Sequence, residues 1–246
     1  MRQDRNVTSA IPAPAAVLLP GTGSDEVFVR SVFAGPLGAL GVPLHTPAPV
    51  PGAGLAEGFL DELDRLARRH GTLLAGGISF GAHLAAEWAA ANPGRCAGLL
   101  AALPAWHGEP GQAPAAQSAT LTADLVAAHG VSAALAQAEA GSPPWLAAEL
   151  RRAWPRHGSG LAAGLRVAAN RPAPALEALR GLDVPAGIGA CTDDPIHPAA
   201  VARAWAQALP RAHCAETTLA ALGADPESLG RATVLAFLRA RAGRPR

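Results

Sequence analysis

The sequence predicts an α/β fold: a mostly parallel sheet of about six strands with helices on both faces, together with a helical cap insertion. Three observations support this prediction. Short, almost wholly apolar runs alternate with longer segments of helical periodicity, which is typical of parallel strands buried on both faces. The alternation stops in the middle third of the chain, where only helical patterns occur. Half of the 246 residues are hydrophobic and 16% are charged, enough to fill one large core.

The predicted strands are short apolar runs, most of them bounded by Gly, Pro or polar residues. The first, Ala15–Leu19, stops at Pro20-Gly21, and a Pro/Gly-rich loop follows the second. The six predicted strands are residues 15–19, 42–45, 72–76, 98–103, 184–190 and 212–218.

The predicted helices are longer segments, and those at residues 26–40 and 55–70 have a distinct apolar face. The clearest covers residues 55–70, where Leu55, Phe59, Leu63 and Leu66 share a face and Gly71 is placed as the C-terminal cap. The full set is residues 26–40, 55–70, 82–91, 199–209 and 226–241.

The middle of the chain is interpreted as an insertion. Between residues 106 and 171 the helical patterns are interrupted by Gly and Pro, as at Gly130 and Gly141. We therefore expect residues 1–105 and 172–246 to form the core and residues 106–171 to form a helical cap over one end of the sheet. A pocket between the cap and the core is where a small-molecule substrate would bind.

Composition argues against nucleic acid as a partner, against a membrane span and against a disulfide or zinc site. The 20 basic and 19 acidic residues nearly cancel, which argues against nucleic acid. No apolar run reaches the roughly 20 residues of a membrane span, and the N-terminus is a poor signal peptide. Cys96, Cys191 and Cys214 are widely spaced, which favours buried thiols in a reducing compartment over a disulfide or zinc site. We expect a cytoplasmic protein with no metal and no cofactor; the sequence does not indicate the oligomeric state.

One motif carries chemistry. Gly77-Ile78-Ser79-Phe80-Gly81 fits the pattern Gly-x-Ser-x-Gly, with a predicted strand before it and a helix after it. In that context the serine lies on a tight turn with its hydroxyl exposed above the sheet, and the glycines allow neighbouring backbones to approach. The pattern predicts that Ser79 is a nucleophile.

At this point the chain resembles the α/β-hydrolase superfamily over most of its length. The segment Val17–Ser24 is similar to that superfamily's first core strand and oxyanion loop, with Pro20-Gly21 where a His-Gly pair is common. The resemblance implies that the backbone N–H groups of Thr22 and Phe80 bind the oxyanion that forms during catalysis.

The resemblance also implies a catalytic acid. Residues 191–198 follow a predicted strand and resemble the superfamily's acid loop, in which an Asp stands four residues before a proline. This selects Asp194, with Asp193 as the alternative.

The catalytic histidine is where the chain departs from the superfamily. A Gly-His loop is expected after the last strand, but this chain has Gly223-Ala224 there. Three other histidines, His45, His107 and His197, follow strands on the catalytic side, and the last two are the stronger candidates. His197 shares a loop with Asp194, and His107 follows the strand next to that of Ser79. Either is a candidate for the base.

From these residues we predict a serine hydrolase that acts on a carboxylic ester or thioester, with Ser79, Asp194 and His197 as catalytic residues. The missing Gly-His loop motivates an alternative, a catalytically degenerate protein of this fold that binds a ligand or partner without turnover. A structural or partner-binding domain that uses the cap as its contact surface is a third possibility.

Overall fold

The computed structural model describes residues 14–243, which form one six-stranded, all-parallel sheet. The strand order is β2-β1-β3-β4-β5-β6. This confirms the predicted fold class. The strands are β1 Ala15–Leu19, β2 Leu44–His45, β3 Leu73–Ile78, β4 Cys96–Ala102, β5 Ala186–Cys191 and β6 Ala212–Thr217.

Helices follow the strands, and three of them, α4 to α6, form an insertion between β4 and β5. A single 3₁₀ turn, Gly158–Gly160, joins α5 to α6. The helices are α1 Glu26–Gly38, α2 Leu55–His70, α3 Phe80–Ala91, α4 Pro114–Ala140, α5 Pro144–His157, α6 Leu161–Asn170, α7 Leu176–Arg180, α8 Ala199–Ala208, α9 Leu219–Ala224 and α10 Glu227–Ala242.

The sheet is covered on both faces, which is why its four inner strands, β1, β3, β4 and β5, consist of apolar residues. One face packs against α2, α3 and α8, with Phe59 and Trp205 fully buried there. The other face packs against α1 and α10, with Phe33 and Phe237 in the contact. Burying each of these side chains stabilises the fold by roughly 1.5–3 kcal/mol. The insertion has a small apolar cluster of its own around Trp154.

Several element boundaries differ from the sequence-based expectation. Strand β2 contains two residues rather than four, and it pairs with β1 at the edge of the sheet. Helix α3 begins at Phe80, two residues earlier than predicted and immediately after Ser79. Two short helices, α7 and α9, were not predicted. In α9 the Thr218 hydroxyl accepts a hydrogen bond from the Ala221 amide and starts the helix.

Helix α4 is long and apolar enough to cross a membrane by length and composition, contrary to the expectation that no such run exists. A bilayer span needs about 20 continuous helical residues. Gly130 has non-helical dihedral angles (φ 81°, ψ 166°) and divides the 27 residues of α4 into two shorter helices. Length and composition alone are therefore weak evidence for a span.

The parallel register brings the carboxyl ends of the central strands to one edge of the sheet. Leu19 of β1 lies opposite Gly77 of β3, and Ile78 lies opposite Ala102 of β4. The loops after β1, β3, β4 and β5 consequently meet at this edge, where ligands bind in open α/β sheets.

Candidate active site

Ser79 occupies a strained turn between β3 and α3. Its dihedral angles are φ 53° and ψ −117°, in a region that residues other than glycine rarely adopt, at a cost of about 1–3 kcal/mol. Its amide donates to the Ala102 carbonyl oxygen at 2.9 Å, and its carbonyl accepts from the Ala82 amide at 2.9 Å. The side chain makes no cap hydrogen bond to the helix. The hydroxyl is therefore left for another partner.

The glycines on either side make this turn possible. A Cβ atom on Gly77 would lie 2.6 Å from the carbonyl oxygen of Leu19, and one on Gly81 would lie 2.6 Å from that of Pro20. Real Cβ atoms do not approach backbone so closely. Both positions therefore require glycine for lack of space, as the motif predicted.

His197 lies beside the Ser79 hydroxyl. Its Nε2 atom is 2.9 Å from Ser79 Oγ, and its Nδ1 atom is 2.9 Å from Oδ2 of Asp194. A carboxylate only accepts hydrogen bonds, so Nδ1 carries the proton and Nε2 is free to accept from the serine hydroxyl. Serine, imidazole and carboxylate thus form one continuous chain of hydrogen bonds.

The loop after β5 holds Asp194 by its other oxygen. Asp194 Oδ1 accepts from the amides of Ile196 at 2.8 Å and His197 at 3.0 Å, which folds the loop into a tight turn. Burial raises the pKa of Asp194, but the hydrogen bonds and charge of His197 and the Ile196 amide outweigh it, so the pKa lies below its ordinary value. Asp194 is therefore a carboxylate at neutral pH.

The alternative candidates lie elsewhere. Asp193 Oδ1 accepts from the Leu219 amide at 2.7 Å, at the start of α9. His107 is exposed and makes no hydrogen bond to Ser79, Asp194 or His197. The structure therefore brings His197 to Ser79 and leaves His107 outside this hydrogen-bond chain.

The segment in which the superfamily has its histidine is a helix in this protein. Ala224 is the last residue of α9, which follows β6 almost directly. Trp145 of the insertion covers this helix so closely that a Cβ atom on Gly223 would lie 2.7 Å from the indole Nε1. The same indole stacks on Phe28 of α1, with ring centroids 6.2 Å apart.

The loop after β1, residues 20–24, lies directly against the turn of Ser79. We call it the oxyanion loop, after the role that the resemblance implies. A Cβ atom on Gly21 would lie 3.4 Å from the Cβ of Ser79. Among the residues that the structure describes, the Thr22 amide has no hydrogen-bond acceptor. The Phe80 amide is the first of α3, and the first amides of a helix have no acceptor within it. Both N–H groups are therefore available to an anion, and the dipole of α3 favours negative charge there.

Sequence reasoning assigned no role to His83, one turn along α3 from Ser79. Its ring is fully buried between Trp106 and Trp205, and Nε2 accepts from the Ala105 amide at 3.0 Å. Burial, followed by the nearby charge of His197, lowers the pKa of His83 to about 3. This histidine is therefore neutral and holds the loop after β4. Its spacing from Ser79 was visible in the sequence, but its burial was not.

Glu149 of helix α5 was also missed. Its side chain is buried and accepts a hydrogen bond from the hydroxyl of Ser24, in the oxyanion loop. Burial raises the pKa of Glu149 to about 7, although the Ser24 hydrogen bond and the charge of Arg152 lower it. The available signal was an acid and two arginines at helical spacing (Glu149, Arg152, Arg156) within a mostly apolar insertion.

Metal ligands and reactive thiols are not part of this site. Within residues 14–243, no group of three or more His, Cys, Asp or Glu side chains is arranged to hold a metal ion. The three cysteines are free thiols. Burial raises the pKa of Cys96 to about 11, of Cys191 to about 12 and of Cys214 to about 11, so all three are protonated at neutral pH.

A surface groove of about 460 Å³ lies away from Ser79, between α4 and the end of α6. It contains none of the residues of the hydrogen-bond chain. We therefore assign the candidate site to the hydrogen-bonded residues around Ser79 and not to this groove. The groove is lined by Pro110, Gly111, Ala116, Gln117, Thr120, Leu121, Ala169 and Asn170.

Solved structures share this architecture over nearly the whole chain. A thermophilic esterase from Thermogutta terrifontis has a TM-score of 0.72 at 20% identity, covering 92% of this chain and 90% of the esterase. An enol-lactonase from Burkholderia xenovorans has a TM-score of 0.69 at 18% identity, covering 92% of each chain. A hydrolase from Pseudomonas aeruginosa has a TM-score of 0.62 at 23% identity, covering 93% of this chain and 91% of that protein.

The sequence matches no protein-family model and no curated protein. The structural likeness defines the fold. This protein has the α/β-hydrolase fold with a helical insertion, and its structural neighbours include esterases and other hydrolases.

Proposed function

We propose that this protein is a serine hydrolase that cleaves a carboxylic ester or thioester. Ser79 is the nucleophile, His197 the general base and Asp194 the carboxylate that orients the imidazole. The observation that carries this proposal is the chain of two 2.9 Å hydrogen bonds from Ser79 Oγ through His197 to Asp194.

In the first half of the reaction, Ser79 Oγ attacks the carbonyl carbon of the substrate and its proton passes to Nε2 of His197. The carbonyl oxygen becomes an oxyanion, which accepts hydrogen bonds from the amides of Thr22 and Phe80. Asp194 stabilises the imidazolium through Nδ1. The bond to the leaving group then breaks, and Nε2 returns the proton to the departing alcohol or thiol.

In the second half, water attacks the acyl group on Ser79. His197 Nε2 takes a proton from that water, and a second oxyanion forms against the same two amides. Collapse of this intermediate releases the carboxylic acid, and the proton on Nε2 returns to Ser79 Oγ. Each oxyanion donor contributes about 3–4 kcal/mol in enzymes of this type.

Two observations support a small acyl substrate. Two large side chains of the insertion, Trp154 and Leu161, lie against the oxyanion loop: a Cβ atom on Gly23 would lie 3.9 Å from Leu161 and 3.2 Å from the Trp154 indole nitrogen. Two of the similar structures are described as an esterase and an enol-lactonase.

The proposal is tested by comparing the wild type with Ser79→Ala, His197→Gln and His107→Gln on a panel of p-nitrophenyl esters and acyl thioesters. Loss of the nucleophile or the base lowers kcat by up to about 10⁶-fold in such triads, so both site variants should fall to background. His107→Gln is the matched control and should retain activity. A fluorophosphonate should label the wild type and fail to label Ser79→Ala.

Equal, slow hydrolysis by the wild type and Ser79→Ala, together with no fluorophosphonate labelling, would contradict the proposal. That outcome would favour the alternative of a degenerate protein that binds without turnover. Loss of activity in His107→Gln but not in His197→Gln would contradict the assignment of the base.

A further inference from the structure

Helix α5 of the insertion contacts the chain at the end of the oxyanion loop through a buried carboxylate. Asp25, the residue after the loop, has a side chain with no exposed surface. Arg152 donates to it twice, from Nε to Oδ2 and from Nη2 to Oδ1, both at 2.9 Å. Arg156 Nη1 adds a third hydrogen bond to Oδ2 at 2.8 Å. Two arginines of the insertion thus hold one carboxylate of the core.

The residues just before Asp25 also contact α5. The Ser24 hydroxyl donates to Glu149, and the Ser24 carbonyl oxygen accepts from Nε2 of His157 at 3.0 Å. Gly23 lies against Trp154. Residues 23, 24 and 25 therefore all contact one helix of the insertion, and Thr22 directly precedes them.

The same carboxylate also belongs to the core. Asp25 Oδ1 accepts from the amides of Val27 at 3.0 Å and Phe28 at 3.1 Å, so it caps α1. The oxyanion loop is thus fixed at one end by β1 in the sheet and at the other end by Asp25. Arg152 sets the second of these anchors, because its guanidinium fork fixes both the position and the orientation of a carboxylate.

Such an anchor matters for catalysis because oxyanion donors work only at hydrogen-bonding distance from the developing charge, 2.7–3.1 Å in general. A shift of the loop by a fraction of that distance would weaken the bond from Thr22 in the transition state and leave the substrate ground state nearly unaffected. Such a loss appears in kcat and in the affinity for tetrahedral analogues, with little change in KM.

We propose that Arg152 is a positioning residue: through Asp25 it holds the Thr22 amide where the oxyanion forms, so that helix α5 affects the rates of both acylation and deacylation of Ser79. This inference rests on the proposed hydrolase function. It assigns the insertion a part in the chemical step in addition to covering the core.

The neighbouring arginine provides a matched control. Arg151 precedes Arg152 on the same helix, and its Nε donates to Glu139 of α4 at 2.9 Å. Both arginines therefore pair with a carboxylate, but the partner of Arg151 belongs to the insertion and that of Arg152 belongs to the core. If the ion pairs act only on stability, Arg151→Gln and Arg152→Gln will differ in melting temperature alone.

The experiment measures kcat and KM for p-nitrophenyl acetate, the inhibition constant of an alkylboronic acid, and the melting temperature. All assays are run below the melting temperature of every variant. For Arg152→Gln we expect kcat to fall about 10- to 100-fold and the boronate constant to rise by a similar factor, with KM within about threefold. Arg151→Gln should stay within about twofold of the wild type in all three constants.

A conservative variant completes the test. Arg152→Lys keeps the positive charge but loses the fork geometry, so its kcat and boronate constant should lie between those of the wild type and Arg152→Gln. If Arg152→Gln does not fold, the comparison of Arg152→Lys with Arg151→Lys decides the question by the same constants.

The outcomes separate this inference from the proposed function. A wild type that neither hydrolyses the ester nor reacts with a fluorophosphonate overturns both. An active wild type in which the Arg152 variants match their Arg151 controls in kcat and boronate affinity, whatever their melting temperatures, overturns the inference alone.

Discussion

At the residue scale, the site depends on the three-residue spacing between Asp194 and His197. The carboxylate uses one oxygen to fold the loop and the other to hold the imidazole. A short turn thereby orients both side chains toward Ser79. Asp193, one position earlier, instead binds the Leu219 amide.

Because the two adjacent acids have different partners, we predict different effects on kcat for Asp194→Asn and Asp193→Asn. The amide in Asp194→Asn can still accept from the backbone, but its NH₂ group cannot accept from His197 Nδ1–H. The imidazole then favours the wrong tautomer, a change that costs about 10⁴-fold in kcat in serine proteases. Asp193→Asn should keep kcat within about threefold of the wild type.

The measurement is kcat for one p-nitrophenyl ester at pH 7–8, with circular dichroism to verify folding. A similar loss of kcat in both variants would show that the loop as a whole, rather than the Asp194–His197 contact, supports activity.

The candidate catalytic residues could be predicted from the sequence only in part, and the base is the residue that the sequence left open. Ser79 was predicted because its glycines and its strand–turn–helix context are local. Asp194 was a candidate because residues 191–198 resemble the superfamily's acid loop, and His197 was one because it shares that loop. His107 was the second candidate for the base, since it follows β4 at the same edge of the sheet. Which of these histidines reaches Ser79 depends on how distant segments pack, and a single sequence does not show that packing.

At the element scale, the turn between β3 and α3 exists because two glycines let it pass beneath the loop after β1. Its strain is local, whereas the contacts that maintain it come from β1 and β4. The sequence predicted this element well, since strand, turn and helix are adjacent in the chain. The sequence could not predict that α5 binds Asp25, because that contact joins residues 127 positions apart.

Gly81→Ala tests the close packing of this element. The added methyl would lie 2.6 Å from the Pro20 carbonyl oxygen, so the turn or the oxyanion loop must move. We expect a loss of roughly 1–3 kcal/mol in the free energy of unfolding. Since a displacement of about 1 Å costs about 10²-fold, kcat/KM should fall by at least that factor.

Gly94→Ala is the control, because a Cβ atom there would have no neighbour within 4 Å. Denaturant unfolding and ester hydrolysis are measured for both variants. If Gly81→Ala keeps the kcat/KM of the wild type, the turn tolerates a side chain, and the close approach of residue 81 to the Pro20 carbonyl oxygen is not required for activity.

At the scale of the whole molecule, two buried groups couple folding to pH in opposite directions. Glu149 has a folded pKa of about 7, above its unfolded value of 4.5, so its contribution to stability is lost as the pH rises through that interval. His83 has a folded pKa of about 3, below its unfolded value of 6.5. Its neutral form is therefore favoured by folding, and stability is lost as the pH falls from 6.5 toward 3.

We expect His83→Gln to remove this acid-side loss, because glutamine can accept from the Ala105 amide and does not titrate. Between pH 6 and pH 4 the wild type should lose up to about 1.4 kcal/mol per pH unit more than the variant. Urea unfolding across that range measures the difference. His107→Gln is the matched exposed control and should follow the wild type; parallel curves for wild type and His83→Gln would refute the burial effect.

The short turn that carries both Asp194 and His197 has a consequence for residues 212–242. In this arrangement β6, α9 and α10 contribute no side chain to the hydrogen bonds that join Ser79, His197 and Asp194, so these elements support the site without taking part in it. Amino-acid replacements in this C-terminal region should shift the melting temperature and spare turnover. Asp194 and the proposed base His197, by contrast, both belong to one short turn, so the loop after β5 is the unit that we expect could be exchanged between proteins of this architecture.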